Sequence, residues 1–277
     1  MSLVSVIMPM RNEERYVRAA AESVLAQEGV ELELIVVDDH STDGSVSLLR
    51  AIRDRRIRIV SSPGRGVAAA CNAGCATARG ELLALCGADD LFAQNRLGWQ
   101  AGWLADHPEF GAVCGKNASM TRQGRVVCQG LAGDAPEEVT EELSRGITRT
   151  SIATFLLRTE QVRAAGGCRG FFVTSSDVDL MLRIGEVCRV WYDPRVCYYY
   201  RLHDASITHS QSGTLREFYA STARKFCAQR QATGLDDLQR GCPPDPPSEG
   251  LEPPMRAADE IQGTLTGLAW RQHKAGL

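Results

Sequence analysis

Positive charge is in short supply in this chain, and several other class-defining features are missing. Lys and Arg number 31 against 34 Asp and Glu, a net charge of −3 with a pI near 6.0. No basic face is therefore expected, and no nucleic-acid partner. The one basic cluster, 53–58, is interleaved with Ile57 and Ile59 and reads as a solvated strand entry. No apolar run approaches the ~20 residues of a membrane span, which leaves only peripheral membrane contact. The first ten residues carry no charged segment ahead of a long apolar core, so no signal peptide is expected. No C-x-x-C pair and no metal-ligand run occurs among the ten cysteines. Cys71 and Cys75 share one helix face, and Cys86, Cys114 and Cys197 sit in apolar stretches. They read as reduced core thiols of a cytoplasmic protein, at most held at the inner face of a membrane. No internal repeat is visible.

What is present is ample apolar material: 44% of 277 residues. Val4-Ser5-Val6-Ile7-Met8, stopped by Pro9, is the first strand. Strands at 33–37, 57–60 and 82–85 follow, each preceded by a helical segment. The alternation predicts a doubly wound, mostly parallel α/β sheet flanked by helices. A strand at 110–114 and a strand-like segment at 152–158 follow, then a helix at 177–185. Segments 187–192 and 195–200 read as a strand pair at the far edge. Segment 117–150 is polar and weakly patterned, as site-covering segments often are. Three regions are expected: an α/β half at 1–110, a second half of the same domain at 111–210, and C-terminal helices at 211–277. The last region has an amphipathic helix at 214–232, a proline-rich linker at 241–254 and a final helix at 256–274 bearing Trp270.

Chemistry is signalled most clearly at Leu82-Leu83-Ala84-Leu85-Cys86-Gly87-Ala88-Asp89-Asp90. A buried strand ends in two adjacent carboxylates, at the strand end where open α/β sheets collect ligands. Neighbouring like charges favour a cation, either a divalent metal or a metal carrying phosphates. A solvated acidic loop near a helix N-terminus would read the same way.

The ordered set of motifs resembles the inverting, nucleotide-sugar-dependent glycosyltransferases of family 2, whose Rossmann-like fold is called GT-A. It runs from Val4 through Pro9-Met10-Arg11-Asn12-Glu13 and Ile35-Val36-Val37-Asp38-Asp39-His40-Ser41-Thr42-Asp43-Gly44. It continues with Asn72-Ala73-Gly74, Gly87-Ala88-Asp89-Asp90, Gly166-Gly167, Ser176-Asp177-Val178-Asp179 and Tyr200-Arg201-Leu202-His203. The resemblance implies that Pro9, Arg11 and Glu13 frame the nucleotide base and that Asp39 accepts the uracil N3–H. It implies base or ribose contacts for Arg65 and Asn72, and Mg²⁺ or Mn²⁺ at Asp89 and Asp90, with Asp89 also on the nucleotide. It further implies a general base at Asp177, phosphate contact by Arg201, and metal or phosphate contact by His203. Ser206 and His209 would belong to a lid. The donor would be a UDP-sugar and the acceptor a glycan, a lipid-linked sugar or a small molecule, with room for a homo-oligomer.

Two positions depart from the family pattern. Gly87 stands where many members have an additional Asp, and Ser176 stands where a Glu precedes the base. Both leave open a non-catalytic nucleotide-sugar-binding homologue. A sugar nucleotidyltransferase would need a glycine-rich, basic loop after the first strand, and Arg11-Asn12-Glu13-Glu14 has no glycine. Asp38 and Asp39 could instead be helix caps, and Asp177 and Asp179 first-turn acids favouring the helix dipole.

Overall fold

The computed structural model describes residues 2–130, 132–206, 210–248 and 259. The strand–helix alternation opens the chain as β1 Leu3–Met10, α1 Val17–Leu25, β2 Glu31–Asp38, α2 Ser45–Arg50, β3 Ile57–Ser61, α3 Val67–Thr77 and β4 Leu82–Leu85. Then come β5 Leu91–Phe92, α4 Arg96–Asp106, β6 Phe110–Met120, β7 Val126–Gln129, β8 Glu137–Glu138 and α5 Thr140–Ser144. A 3₁₀ turn at Ile152–Thr154 leads to β9 Leu156–Arg158, α6 Thr159–Ala164, α7 Ser176–Val187, β10 Arg189–Arg201 and α8 Gly213–Thr233.

The ten strands of the described residues form one sheet, ordered β3-β2-β1-β4-β9-β6-β10-β5, with β7 on β6 and β8 on β10. β1 to β4 are parallel to their neighbours in this group, and β10 is parallel to β6. β9 runs antiparallel between β4 and β6 and joins the two parallel groups. Helices cover both faces, so the central strands are buried on both sides and read as nearly continuous apolar runs. Ile7, Ile35, Val37, Leu83 and Leu85 face the α3 and α7 side. Val6, Met8, Leu34, Val36 and Ala84 face the α1 and α4 side. The α/β architecture expected from the sequence is what forms.

Four local expectations are corrected. Pro9 does not stop β1, which runs on to Met10. Ile7 O accepts from Cys86 N and Met10 O from Asp39 N, so the nitrogen of Pro9 points toward the β4 side. The β1–β4 ladder has already ended at Ile7–Leu85, and the missing N–H costs nothing. Segments 187–192 and 195–200 are one strand, β10, bulged between Tyr192 and Val196. It lies inside the sheet between β6 and β5, not as an edge pair. Proline at 194 is tolerated at such a bulge, which is why the sequence looked interrupted. The 152–158 segment splits into the 3₁₀ turn and the short β9, and the strand at 110 continues to Met120 instead of ending at Cys114.

The ten cysteines are free thiols. Among the described residues, no helix is long and apolar enough to cross a membrane. The expected helix at 214–232 is α8, packed through Tyr219, Ala223, Phe226 and Cys227 against Phe172 and Leu182. His209, most of the final helix with Trp270, and the end of the proline-rich linker lie outside the described residues.

Candidate active site

A cleft of about 820 Å³ opens at the C-terminal ends of β1, β2 and β4. Its near wall is the loop that follows β1, and that loop is interlocked with the one that follows β2. Asn12 N donates to Ser41 Oγ (3.0 Å) and Thr42 N to Asn12 Oδ1 (2.8 Å). Glu13 N donates to Ser45 Oγ (2.8 Å), Glu14 N to Asp43 Oδ2 (3.0 Å), and Gly44 N to Glu14 Oε2 (2.8 Å). The small and acidic residues at 41–45 thus hold the opposite loop, beyond the helix start that local spacing suggests. Three successive amide donors of the first loop are consumed in this way. They cannot also cradle a triphosphate, which argues against the nucleotidyltransferase alternative.

At one end of the cleft lies Asp39, 5% exposed. Its Oδ2 accepts from Gly66 N (2.8 Å), and its Oδ1 is buried without a partner. Gly66 has φ of +93°, which a side chain would resist, and so its amide can turn toward the carboxylate. A buried, unpaired carboxylate oxygen is costly in isolation and suits a ligand N–H.

The strand-end acids behave differently from each other. Asp89 lines the cleft, and its Oδ2 lies 2.8 Å from His203 Nε2. Asp90 turns inward and is 4% exposed. Its Oδ2 accepts from Tyr198 Oη (2.6 Å) and its Oδ1 from Arg201 N (2.7 Å). Tyr198 Oη in turn accepts from Gly87 N (2.9 Å). Burial, and then the charge of Asp89, push the Asp90 carboxyl well above the usual range, and its two hydrogen bonds only partly offset this. With both oxygens occupied in this way, Asp90 serves to fasten the turn to β10, which does not match its expected metal contact.

Ligand atoms of Glu13, Asp89 and His203 lie within 4.8 Å of one another. Two carboxylates and an imidazole offer hard oxygen donors and one nitrogen, a set that fits Mg²⁺ or Mn²⁺. Burial, then the nearby charges of Asp89 and Asp43, push Glu13 up to about 7, while His203 acts in the opposite direction. The Tyr16 ring packs against His203 at 5.1 Å, tilted by 46°, and the Arg201 guanidinium lies 4.8 Å from the Tyr16 ring.

The remaining expected residues divide. Pro9 and Arg11 line the cleft. Arg65 is exposed and is not among the lining residues, although its neighbours Gly66 and Val67 are. Asn72 is also off the cleft, because its amide is taken up at both ends by Cys168, whose N–H it accepts (2.8 Å) and whose carbonyl it bonds (2.7 Å). Arg201 is 5% exposed, and its guanidinium donates to the carbonyls of Asp89 (2.6 Å) and Arg122 (3.1 Å).

Asp177 stands in the first turn of α7. It interacts electrostatically with Cys71, which lines the cleft, but is not itself among the lining residues. Burial pushes its carboxyl above the ordinary range, with the N–H groups of Val178 and Asp177 opposing. Ser176 is the first helical residue, while Ser175 takes the cap position with φ of +56° and no side-chain bond. Asp179 is not a dipole-favouring surface acid but a fully buried one, paired with Arg169 and Arg183. Of segment 117–150, read from its sequence as site-covering, the cleft uses Arg122, and Ile152 and Ala153 of the following segment line it as well. Tyr16 and Tyr198 carry no sequence signal for their parts here. They read as an apolar helix position and a strand tyrosine.

Comparison with known proteins bears on this cleft. Residues 5–175 match the family model described as "Glycosyl transferase family 2". The chondroitin synthase of Pasteurella multocida (strain Pm70) is 25% identical over 203 residues, 73% of this chain but 21% of that protein. The chain therefore spans about a fifth of the length of that relative. Among solved structures, S. aureus TarS 1-349 in complex with UDP-GlcNAc superposes with a TM-score of 0.69 at 19% identity, covering 83% of this chain and 67% of that one. The mannosyltransferase PcManGT from Pyrobaculum calidifontis, in complex with GDP-Man and Mn²⁺, gives a TM-score of 0.60 at 21% identity, covering 85% and 66%. At these identities the structural likeness speaks for the fold.

Proposed function

The chain belongs to glycosyl transferase family 2, and on that premise we propose that it is an inverting transferase moving a sugar from a UDP-sugar to an acceptor hydroxyl. The observation that carries the reading is that one cleft holds both the unpaired, buried Asp39 Oδ1 and, on the β4 side, the Glu13–Asp89–His203 cluster. Asp39 accepts the N3–H of uracil, a donor that cytosine lacks. Asp89 and His203 hold the divalent cation, Mg²⁺ or Mn²⁺. When bound, such an ion supplies charge neutralisation for the departing diphosphate. Asp177 takes the proton from the acceptor hydroxyl as that oxygen attacks the anomeric carbon. The bond from that carbon to the diphosphate oxygen breaks, its electron pair leaves with UDP, and the anomeric carbon inverts. A raised carboxyl pKa suits a base that must receive a proton near neutral pH. The glycan-synthase relative and the UDP-GlcNAc-bound fold neighbour are consistent with a saccharide acceptor and a UDP-linked donor.

The test is release of UDP, or transfer, from a panel of UDP-sugars with Mn²⁺, comparing wild type with Asp177→Asn. A base of this kind contributes typically ~10²–10⁴-fold, and that loss is expected in the variant. Equal turnover by the two proteins rejects Asp177 as the base. A second reading, a nucleotide-sugar-binding protein without turnover, has in its favour that Asp177 is not on the cleft lining. Metal-independent UDP binding with no turnover of any donor would support it.

A further inference from the structure

We infer that Glu13, from the loop after β1, supplies the metal site with the second carboxylate that the strand-end motif does not provide. The inference rests on the transferase reading above and deepens it. In that motif position 87 is glycine and Asp90 faces away, so Asp89 is the one carboxylate the strand end offers to the cleft. A side chain at 87 would have to displace the carboxylates beside it. A Cβ built there would lie 2.8 Å from Asp89 Oδ1 and 2.8 Å from Asp90 Oδ2.

Glu13 approaches the same point from the other side of the cleft. Its main chain is fixed at both ends: its N–H donates to Ser45 Oγ (2.8 Å), and its carbonyl accepts from Tyr16 N and Val17 N (2.9 Å each). Its carboxylate, by contrast, accepts no hydrogen bond among the described residues. That sets it apart from its neighbours. Glu14 is bonded to Gly44 N, Asp43 to Glu14 N and Ser45, and Asp90 to Tyr198 and Arg201. A half-buried carboxylate held by its backbone yet left without a partner, within 4.8 Å of Asp89 and His203 ligand atoms, is a ligand in waiting. The cation would then tie together the loop after β1, the end of β4 and the segment after β10. Through Ser45 and Asp43, the loop after β2 would be ordered with them.

Mn²⁺ binding in the presence of UDP is followed by the electron paramagnetic resonance signal of free Mn²⁺, for wild type and Glu13→Gln. Glutamine is nearly the same size and breaks no bond in this structure, so the variant folds, and an unchanged melting curve without metal verifies that. Glu13→Gln is expected to bind Mn²⁺ roughly tenfold or more weakly. In EDTA it is expected to bind UDP as wild type does, which a base-contacting role for Glu13 would not allow. Equal Mn²⁺ affinity of the two proteins overturns the inference and leaves the transferase reading standing. Failure of wild type itself to bind Mn²⁺ with UDP overturns the metal part of both.

Discussion

Replacing Tyr198 by Phe removes one oxygen atom and no ring contact, from a residue only 2% exposed. That oxygen accepts from Gly87 N at 2.9 Å and donates to Asp90 Oδ2 at 2.6 Å. The variant leaves a part-buried N–H and a buried carboxylate oxygen each short of a partner. An unsatisfied buried group costs about 1–3 kcal/mol. The two losses share one site and do not simply add, and Asp90 keeps its bond from Arg201 N. A loss of about 3 kcal/mol is expected, which at ~2–4 °C per kcal/mol lowers the melting temperature by roughly 6–12 °C. Urea denaturation provides the assay: the midpoint should fall while the slope stays constant, since the exposed surface is unchanged. A loss below about 1 kcal/mol would refute the assignment of Asp90 to fastening the turn, because bonds of this kind cannot be removed so cheaply.

The base should also declare itself through pH. The Asp177 carboxyl lies above the ordinary range, so the acid limb of the turnover profile should fall at a higher pH than a free carboxylate gives; a limb near the ordinary value would contradict that role. Glu33 offers a stability test away from the cleft. Burial alone would raise it, but bonds from Arg79 N, Ser5, Arg58 and the Arg79 side chain outweigh that and bring it down from 4.5 to about 2. A depressed folded pKa contributes stability that is present above the unfolded value and lost as pH falls from about 4.5 toward about 2. At most ~3 kcal/mol is involved, and Glu33→Gln should remove that pH dependence in acid denaturation; an unchanged acid limb would count against it. Asn72→Ala should lose about 1–2 kcal/mol from its bonds to Cys168, partly offset by ~0.5 kcal/mol of helix propensity. Its UDP affinity in calorimetry should match wild type, whereas a weakened one would return Asn72 to the nucleotide site.

Much of the fold was legible because the first half of the chain uses strongly periodic, fully buried elements. Apolar runs ending at Met8, Val37, Val60 and Leu85 could be counted, and each reached the sheet in parallel register. The second half was less so, for a physical reason: β6, β9 and β10 are defined by pairing partners far away in sequence. A proline bulge within β10 imitates a strand break when only the local pattern is available. The site divides along the same line. Asp39 and Asp89 sit at strand ends, where topology alone directs a side chain to the cleft. The fates of Asp90, Arg201 and Asn72 were settled by Tyr198, by the carbonyls of Asp89 and Arg122, and by Cys168. Those partners lie 79 to 112 residues away, and no local motif records them. Asp179 likewise looked like a surface acid until Arg169 and Arg183 closed around it.

The central claim is that Asp39 and the cluster at Asp89 make this a uridine nucleotide site. Calorimetric titration of UDP and CDP in Mn²⁺, with wild type and Asp39→Asn, measures it most directly. Wild type is expected to bind UDP in preference to CDP, whose ring N3 has no hydrogen to donate, and the variant should lose roughly 1–3 kcal/mol of UDP binding. Equal binding of CDP, or UDP binding that is indifferent to the loss of the Asp39 carboxylate, would contradict it.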